Sequence, residues 1–488
     1  VPRLIFAAQS ARNDAVHSLT GERLVNMHAV PAPEGARAAL LLRNVLGTRD
    51  FATLQGPFLR ALATCGDQLY AASRGVLARV NEAGTVSTLG SIADDPDTSI
   101  VGAGGDRAAV CAGGAYYLWD GSSLTQVGGG RLTNIGSVAY LGGYVFMTQA
   151  FGREVEWTSG SGGPGSRNAL YFSEAAASGD NIVRAMKVGP YIWVLKEQSI
   201  EKWQLTGVGG TGAFAPIPGA VEERGLLSFN LACPIPNGVF FIGNDKCAYV
   251  GGGGAAQAVS TPPVDEALKN NEPTHCFYYE DRGHRYAVIR FADRPAWCLD
   301  FAMNRWHERA EGVSLEAWDA MSSASCYGQW QIGGRLGRVW RLGQAPVDAS
   351  GPMRRLAVSR TLEPGGSFTV AKFELFGNFG HQFIEEDAPA YLLDEFGFPL
   401  RDSNGYPIHA ESPEPVTRWR RSPNAWLRFS KDGGNTWGAP KLRSFGKLGA
   451  YSTTLSVKGM GQFKRMMTAE ISMTDPVEMP LFAEAEIT

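Results

Sequence analysis

The sequence has no apolar run approaching 18 residues, so nothing in it reads as a membrane-spanning helix. The apolar part of the opening Val1–Ala8 stretch is too short for a signal peptide, and a start on Val1 rather than Met implies leading residues processed or left out. An excess of one charge is missing too. Lys and Arg total 45 against 48 Asp and Glu, a net charge of −3, which excludes the chain-wide electrostatic footprint of a nucleic-acid binder while leaving room for a local basic patch. The seven cysteines (Cys65, Cys111, Cys233, Cys247, Cys276, Cys298 and Cys326) lack C-x-x-C spacing and are odd in number. They read as buried reduced thiols rather than a disulfide framework or a zinc site, and they place synthesis and folding in a reducing cytoplasm.

The signatures of several chemistries are absent as well. No H-x-H, HExxH, G-x-S-x-G elbow or Walker loop occurs. Gly207–Gly212 matches G-x-G-x-x-G, but it runs into Ala213-Phe214-Ala215-Pro216, which cannot open the helix that a bound phosphate needs. His275, His284 and His307 could meet in one sheet, yet without ligand spacing they read as ordinary histidines, and Asp94-Asp95-Pro96-Asp97 reads as a solvated acidic loop rather than a calcium site. The expectation is a non-enzyme with no catalytic residue, cofactor or metal.

Glycine is what the chain has in surplus: 60 of 488 residues, about one in eight against roughly one in fourteen in an average protein, which signals many turns between short strands. The stretch Gly189–Gly207, GPYIWVLKEQSIEKWQLTG, shows the unit most clearly. An apolar strand, Tyr191–Leu195, reverses through Lys196-Glu197-Gln198-Ser199 and returns through Trp203 and Leu205. One hairpin is marginal alone, so it must be covered on both faces, and its covers are similar units. These start near Gly66, Gly105, Gly142, Gly189, Asn237, Arg282 and Tyr327, spaced by 37 to 48 residues. An all-strand repeat of this length is the spacing of a β-propeller blade. The same strands could form a pair of β-sandwiches, but the regular spacing favours the propeller.

The expected fold is therefore all-β: a propeller of six or seven blades over residues 57–349, preceded by an arm over 1–56 and followed by a C-terminal β-sandwich over 350–488. Within the arm, Ala36–Val45 is expected to form a short helix, with Leu41, Leu42 and Val45 on one face. Val264–Asn270 is expected to be a helix decorating a join between blades. An excursion at 381–424 interrupts the C-terminal domain. Between Glu385 and Glu414 it carries eight acids against one Arg, and Asp394–Leu400 is echoed by Asp402–Ile408. Arginine gathers at Arg335, Arg338, Arg341, Arg354, Arg355, Arg418, Arg420 and Arg421, which are read as solvated strand faces, salt bridges at a subunit interface, or phosphate contacts along a channel.

Ser430-Lys431-Asp432-Gly433-Gly434-Asn435-Thr436-Trp437 resembles the Asp-box of sialidases, a structural hairpin turn in those proteins. Over most of its length the chain resembles the tail hub or nozzle of short-tailed bacteriophages, the packaged-DNA stabilisation family. The resemblance rests on Leu24–Pro31, the GPYIWVLKEQSIEKWQLTG hairpin, Leu427–Trp437, and the closing Gly459–Arg465 and Ser472–Val477. It implies a non-enzymatic virion protein, made in the host cytoplasm, that forms a hexameric ring below the portal and its adaptor ring. That ring would extend the DNA channel, retain double-stranded DNA, and dock tail fibres or spikes and a plugging needle. The alternative reading, motivated by the Asp-box, is a glycan-binding or glycan-hydrolysing, sialidase-like propeller.

Overall fold

The computed structural model describes residues 2–7, 22–252, 254–343, 346–379, 384–387, 418–478 and 480–488, with backbone alone at 384–387 and 418–421. Six of the hairpin units form the second and third strands of a four-stranded antiparallel sheet, with one strand added on either side; the Arg282 unit has the same four strands at one end of a larger sheet. Seven such blades result. Their innermost strands are Leu59–Cys65, Ser99–Gly102, Ile135–Leu141, Ile182–Val188, Ala232–Ile235, Pro273–Asp281 and Ala320–Cys326. These adjoin in order, and the seventh adjoins the first, so the ring closes.

The covering argument made for the Gly189 hairpin holds at the level of side chains. Ile192 faces Trp203 in register, and Trp203 is fully buried among residues of the third and fourth blades, with the Phe146 ring centroid 5.9 Å away. Lys196 departs from expectation. It ends the strand Tyr191–Lys196 instead of opening a solvated turn, and it is fully buried, held by Glu201 at 3.1 Å, Asp180 at 3.2 Å and the carbonyls of Ala175 and Ser178 at 2.9 and 2.7 Å. An ammonium survives there only because these oxygens replace its water.

The described part of residues 1–56 (2–7 and 22–56) is woven into the molecule rather than laid over it. The outermost strand of the seventh blade is Thr48–Thr53, antiparallel to Arg338–Leu342, so the chain's beginning closes the ring begun by the first blade. The helix expected over Ala36–Val45 is instead the strand Leu40–Asn44, paired with Met27–Pro31 and, through Leu41 and Leu42, with the strand Leu481–Ile487. Leu41 and Leu42 fit either periodicity; a sheet edge from the far end of the chain decides between them. The helix between the fifth and sixth blades spans Pro262–Asn270 and buries Val264 and Leu268.

Beyond residue 350 two sheets lie over a common apolar core. One runs Met27–Pro31, Leu40–Asn44, Leu481–Ile487, Phe368–Gly377 and Leu455–Phe463, with Arg3–Ile5 on the Leu481–Ile487 strand. The other joins Arg355–Val358, Thr468–Met473, Asn424–Ser430 and Lys441–Ser444. Phe373 and Phe429 meet edge to face across the gap at 5.1 Å. This second sheet is continuous with the sixth blade: Arg23–Val25 pairs with the Arg305–Glu311 strand on one side and with Arg355–Val358 on the other. The expected break near 350 is thus bridged by a strand from the arm. Most of the 381–424 excursion lies outside the described residues; within it, Ile384–Asp387 pairs antiparallel with Arg418–Arg421.

Candidate functional site

The seven inner strands enclose an axial cavity of about 410 Å³. Small residues make up much of its wall: Ala61, Ala63, Ser99, Ala139, Ala185 and Ser323 represent five blades, which lets seven strands converge without filling the axis. Charged groups punctuate that wall. Arg60 from the first blade pairs with Asp94 at 2.9 Å. Arg184 from the fourth blade donates to the carbonyls of Phe229 and Ala232 at 3.1 and 3.2 Å and lies 4.7 Å over the Phe229 ring. Burial pulls the Arg184 pKa down to about 10. His275 from the sixth blade is lowered to about 4, first by burial and then by the positive charges of Arg290, Arg184 and Arg60.

Of the arginines singled out from the sequence, the five whose side chains are described (Arg335, Arg338, Arg341, Arg354 and Arg355) do not line this axis and are not gathered at one place. Arg335 and Arg338 are exposed on the seventh blade, beside Asp319 at 3.1 Å and Asp50 at 3.7 Å. Arg341 lies 3.7 Å over the Phe51 ring and donates to the Glu82 carbonyl at 2.8 Å. Arg354 donates to Ser472 at 2.8 Å, near Glu470. Its neighbour Arg355 points the opposite way and is fully buried, donating to the carbonyls of Val477, at 2.6 Å, and Asp475. Arg418, Arg420 and Arg421 are placed by backbone alone, on the strand paired with Ile384–Asp387.

The Asp-box is a self-contained turn outside the blades. Ser430 Oγ receives the Gly434 N–H at 2.8 Å, and Asp432 receives the Thr436 N–H at 2.8 Å and its hydroxyl at 2.6 Å. Those bonds, led by the Thr436 hydroxyl, hold the Asp432 carboxyl down at about 2. Trp437 carries the Arg428 guanidinium 4.8 Å above its ring, and Arg428 in turn grips Glu470 through two bonds of 2.6 and 2.7 Å. Asp432 is thus engaged within its own turn.

Two of the three candidate histidines do come together, with a different third. His28, from the arm, has ring centroids of His284 at 4.8 Å and His307 at 6.1 Å, while His275 faces the axis. His284 Nδ1 is 2.6 Å from Asp300. Among the described residues no group of three His, Cys, Asp or Glu is placed to hold a metal ion, and no helix is long and apolar enough to cross a membrane. What sequence reasoning missed is the charge at the axis. Arg184 and His275 each lie one strand ahead of a recognised hairpin, where nothing in the pattern says which residues turn inward.

Comparison with known proteins gives one family. A model of the phage stabilisation family, described as the bacteriophage P22 Gp10 β-propeller, matches residues 10–344. No curated protein matches. Among solved structures, similarity extends to the Pan2 WD40 domain of Neurospora crassa, at 7% identity over 62% of this chain and 97% of that one, with a TM-score of 0.43. It extends also to virginiamycin B lyase of Staphylococcus aureus, at 11% identity over 62% and 98%, with a TM-score of 0.40. BamB of Moraxella catarrhalis is similar at 12% identity over 66% and 98%, with a TM-score of 0.38. Likeness this distant carries no argument about what the chain does.

Proposed function

We propose that this chain, which belongs to the phage stabilisation family of the bacteriophage P22 Gp10 β-propeller and is a structural component of a phage tail, forms the hub or nozzle ring of that tail. Several copies enclose a channel that continues the DNA path below the portal and adaptor, keeps packaged DNA in place, and offers outer surfaces to fibres or spikes. The chain acts as a structural part and not as a catalyst.

The observation that carries the ring reading is the size of the propeller axis. A duplex whose major groove alone is about 12 Å wide has no room in a cavity of about 410 Å³ ringed by seven blades. A DNA path through such a part must therefore run between copies. A net charge of −3 suits a conduit through which DNA has to slide, because strongly cationic walls would hold the phosphates. The outer strands of the third and fourth blades add apolar side chains to the surface, Leu170 and Phe172 on one and Val221 on the other, which suit burial against a neighbouring copy.

Mass measurement and negative-stain imaging of the protein mixed with the adaptor ring of its own phage test this reading. Closed rings of several copies are expected, six by the family resemblance. A chain that stays a lone monomer beside its adaptor overturns the proposal.

A further inference from the structure

Five of the seven inner strands carry a break in register at the same place. It falls between Leu59 and Ala61, Ile135 and Ser137, Ile182 and Arg184, Pro273 and His275, and Ala320 and Ser322. A bulge of this kind re-aims the side chain that follows it. Four of the five residues just past the break, Ala61, Arg184, His275 and Ser322, line the axial cavity. The repeat geometry therefore delivers one side chain from each of four blades to the same space.

Three of those side chains arrive with an unmet polar atom. Arg184 Nε, His275 Nδ1 and Ser322 Oγ are all buried without a hydrogen-bond partner. Partnerless buried polar atoms are uncommon, and these three belong to side chains that line one cavity; as placed they are closed to water, so a ligand there engages them only after a small side-chain rotation. The charge balance says which kind. Arg60 is matched by Asp94 at 2.9 Å, whereas among the described residues Arg184 has no carboxylate within ion-pair distance, only two carbonyls and an aromatic face. Behind His275 stands Arg290, its register partner, which gives Nη1 to Thr274 at 2.8 Å and Nε to the Trp318 carbonyl at 3.2 Å and is paired with Asp319 at 4.0 Å. The one acid that acts on Arg184 across the cavity rim is Asp97, whose own carboxyl is raised by burial and by Asp95.

We propose that the axial cavity is a binding site for a small tetrahedral oxyanion, phosphate or sulfate, held by Arg184 with His275 and Ser322 beside it. The guanidinium presents a planar fork of donors suited to such an anion, and a hydroxyl and an imidazole N–H supply further bonds. A cavity of about 410 Å³ takes the ion together with several waters. The bound anion joins the fourth, sixth and seventh blades across the axis and supplies the negative charge that the buried Arg184 lacks.

Titration calorimetry with inorganic phosphate and with sulfate, against chloride at constant ionic strength, tests the site. Saturable binding of at least one oxyanion is expected in the wild type, weakened at least tenfold by Arg184→Met. Arg131→Met, on the exposed rim of the third blade beside Glu154, should leave it unchanged. Phosphate should also raise the pKa of His275, followed by NMR of its ring protons, because the anion offsets the surrounding guanidinium charge. No saturable binding, or equal binding in both variants, overturns the proposal. Should Arg184→Met not fold, crystals of the wild type soaked in selenate give the answer. An anomalous peak in the axial cavity supports the site, and its absence there refutes it.

Discussion

Asn26 is the residue whose loss the fold should feel most sharply for its size. It is fully buried at a left-handed φ of +57°, between the strand Arg23–Val25 and the strand Met27–Pro31. Its side chain donates to the Arg354 carbonyl at 2.7 Å and accepts from Arg309 Nη1 and from the Ala310 N–H, each at 2.9 Å. Its backbone N–H donates to the Glu308 carbonyl at 2.9 Å. One small amide thus pins the arm, the sixth blade and the C-terminal sheet to one another. Asn26→Ala leaves a carbonyl and an amide N–H unmet, at about 1–3 kcal/mol each, and takes one of its three acceptors from Arg309 Nη1. Asn tolerates the left-handed conformation better than Ala does, by about 1 kcal/mol. Allowing for non-additivity among neighbours, a loss of about 4–6 kcal/mol is expected. Asn26→Gly loses the same bonds but keeps the conformation, so it should be milder by about 1 kcal/mol. Denaturant unfolding followed by tryptophan fluorescence, with limited proteolysis of the arm as a second probe, measures both variants. A loss under about 1 kcal/mol for Asn26→Ala, or a glycine variant worse than the alanine one, would refute the reasoning.

Four further outcomes are expected. Lys196→Met keeps the apolar stem but leaves Glu201 and Asp180 buried without their cation, and should cost about 3–5 kcal/mol in denaturant unfolding; adding Glu201→Gln should recover part of that loss. At Gly47 a Cβ would lie 1.9 Å from the Val347 carbonyl oxygen, so Gly47→Ala should push the closing strand Thr48–Thr53 off the seventh blade, costing about 1–3 kcal/mol and opening that strand to protease. His307 is lowered from 6.5 to about 4, first by burial, while Asp300 opposes the shift. The unfolded chain therefore takes up that proton first, and stability drawn from the neutral imidazole is complete above about pH 6.5 and lost as pH falls toward 4; relative to His307→Gln, the wild type should lose about 3 kcal/mol across that window, as read from unfolding curves at each pH. Trp203→Ala should cost about 3–5 kcal/mol by the same unfolding assay, since its ring fills the interface of the third and fourth blades.

The blades were legible because each one repeats a strictly local signal, a Gly or Asn turn followed by an apolar strand, and local signals survive in a single sequence. The arm was not, because the partners of Met27–Pro31 and Leu40–Asn44 include a strand more than 400 residues away. Lys196 was hidden by its company: beside Glu197 and Gln198 it looks like a turn, and only the sheet shows that Asp180 and Glu201 close around it. The linear density of arginines says little about which of them share a face. Neighbours in an extended chain point to opposite faces, so Arg354 and Arg355 could never have shared one contact surface, and this much was readable beforehand. The axial placement of Arg184 and His275 was beyond reach for a different reason. A bulge shifts which side of the strand faces the axis, and no residue pattern marks it.

The continuity of the sixth blade with the C-terminal sheet bears on how such a part could serve in a ring. A flexible boundary near residue 350 would leave the propeller free to tilt against the rest, and the bore of any assembly would then depend on linker geometry. Instead, Arg23–Val25 carries backbone pairing from Arg305–Glu311 to Arg355–Val358, and Arg309 locks the crossing from beneath through Asn26 and a 2.6 Å ion pair with Asp348. Force applied at the Asp-box end would travel in the plane of one sheet, along strands and across their hydrogen bonds, without meeting a hinge. In a ring of such copies the bore is fixed by the contacts between blades and sheets rather than by the posture of each chain, so internal pressure from DNA would be resisted by interface area and not by bending.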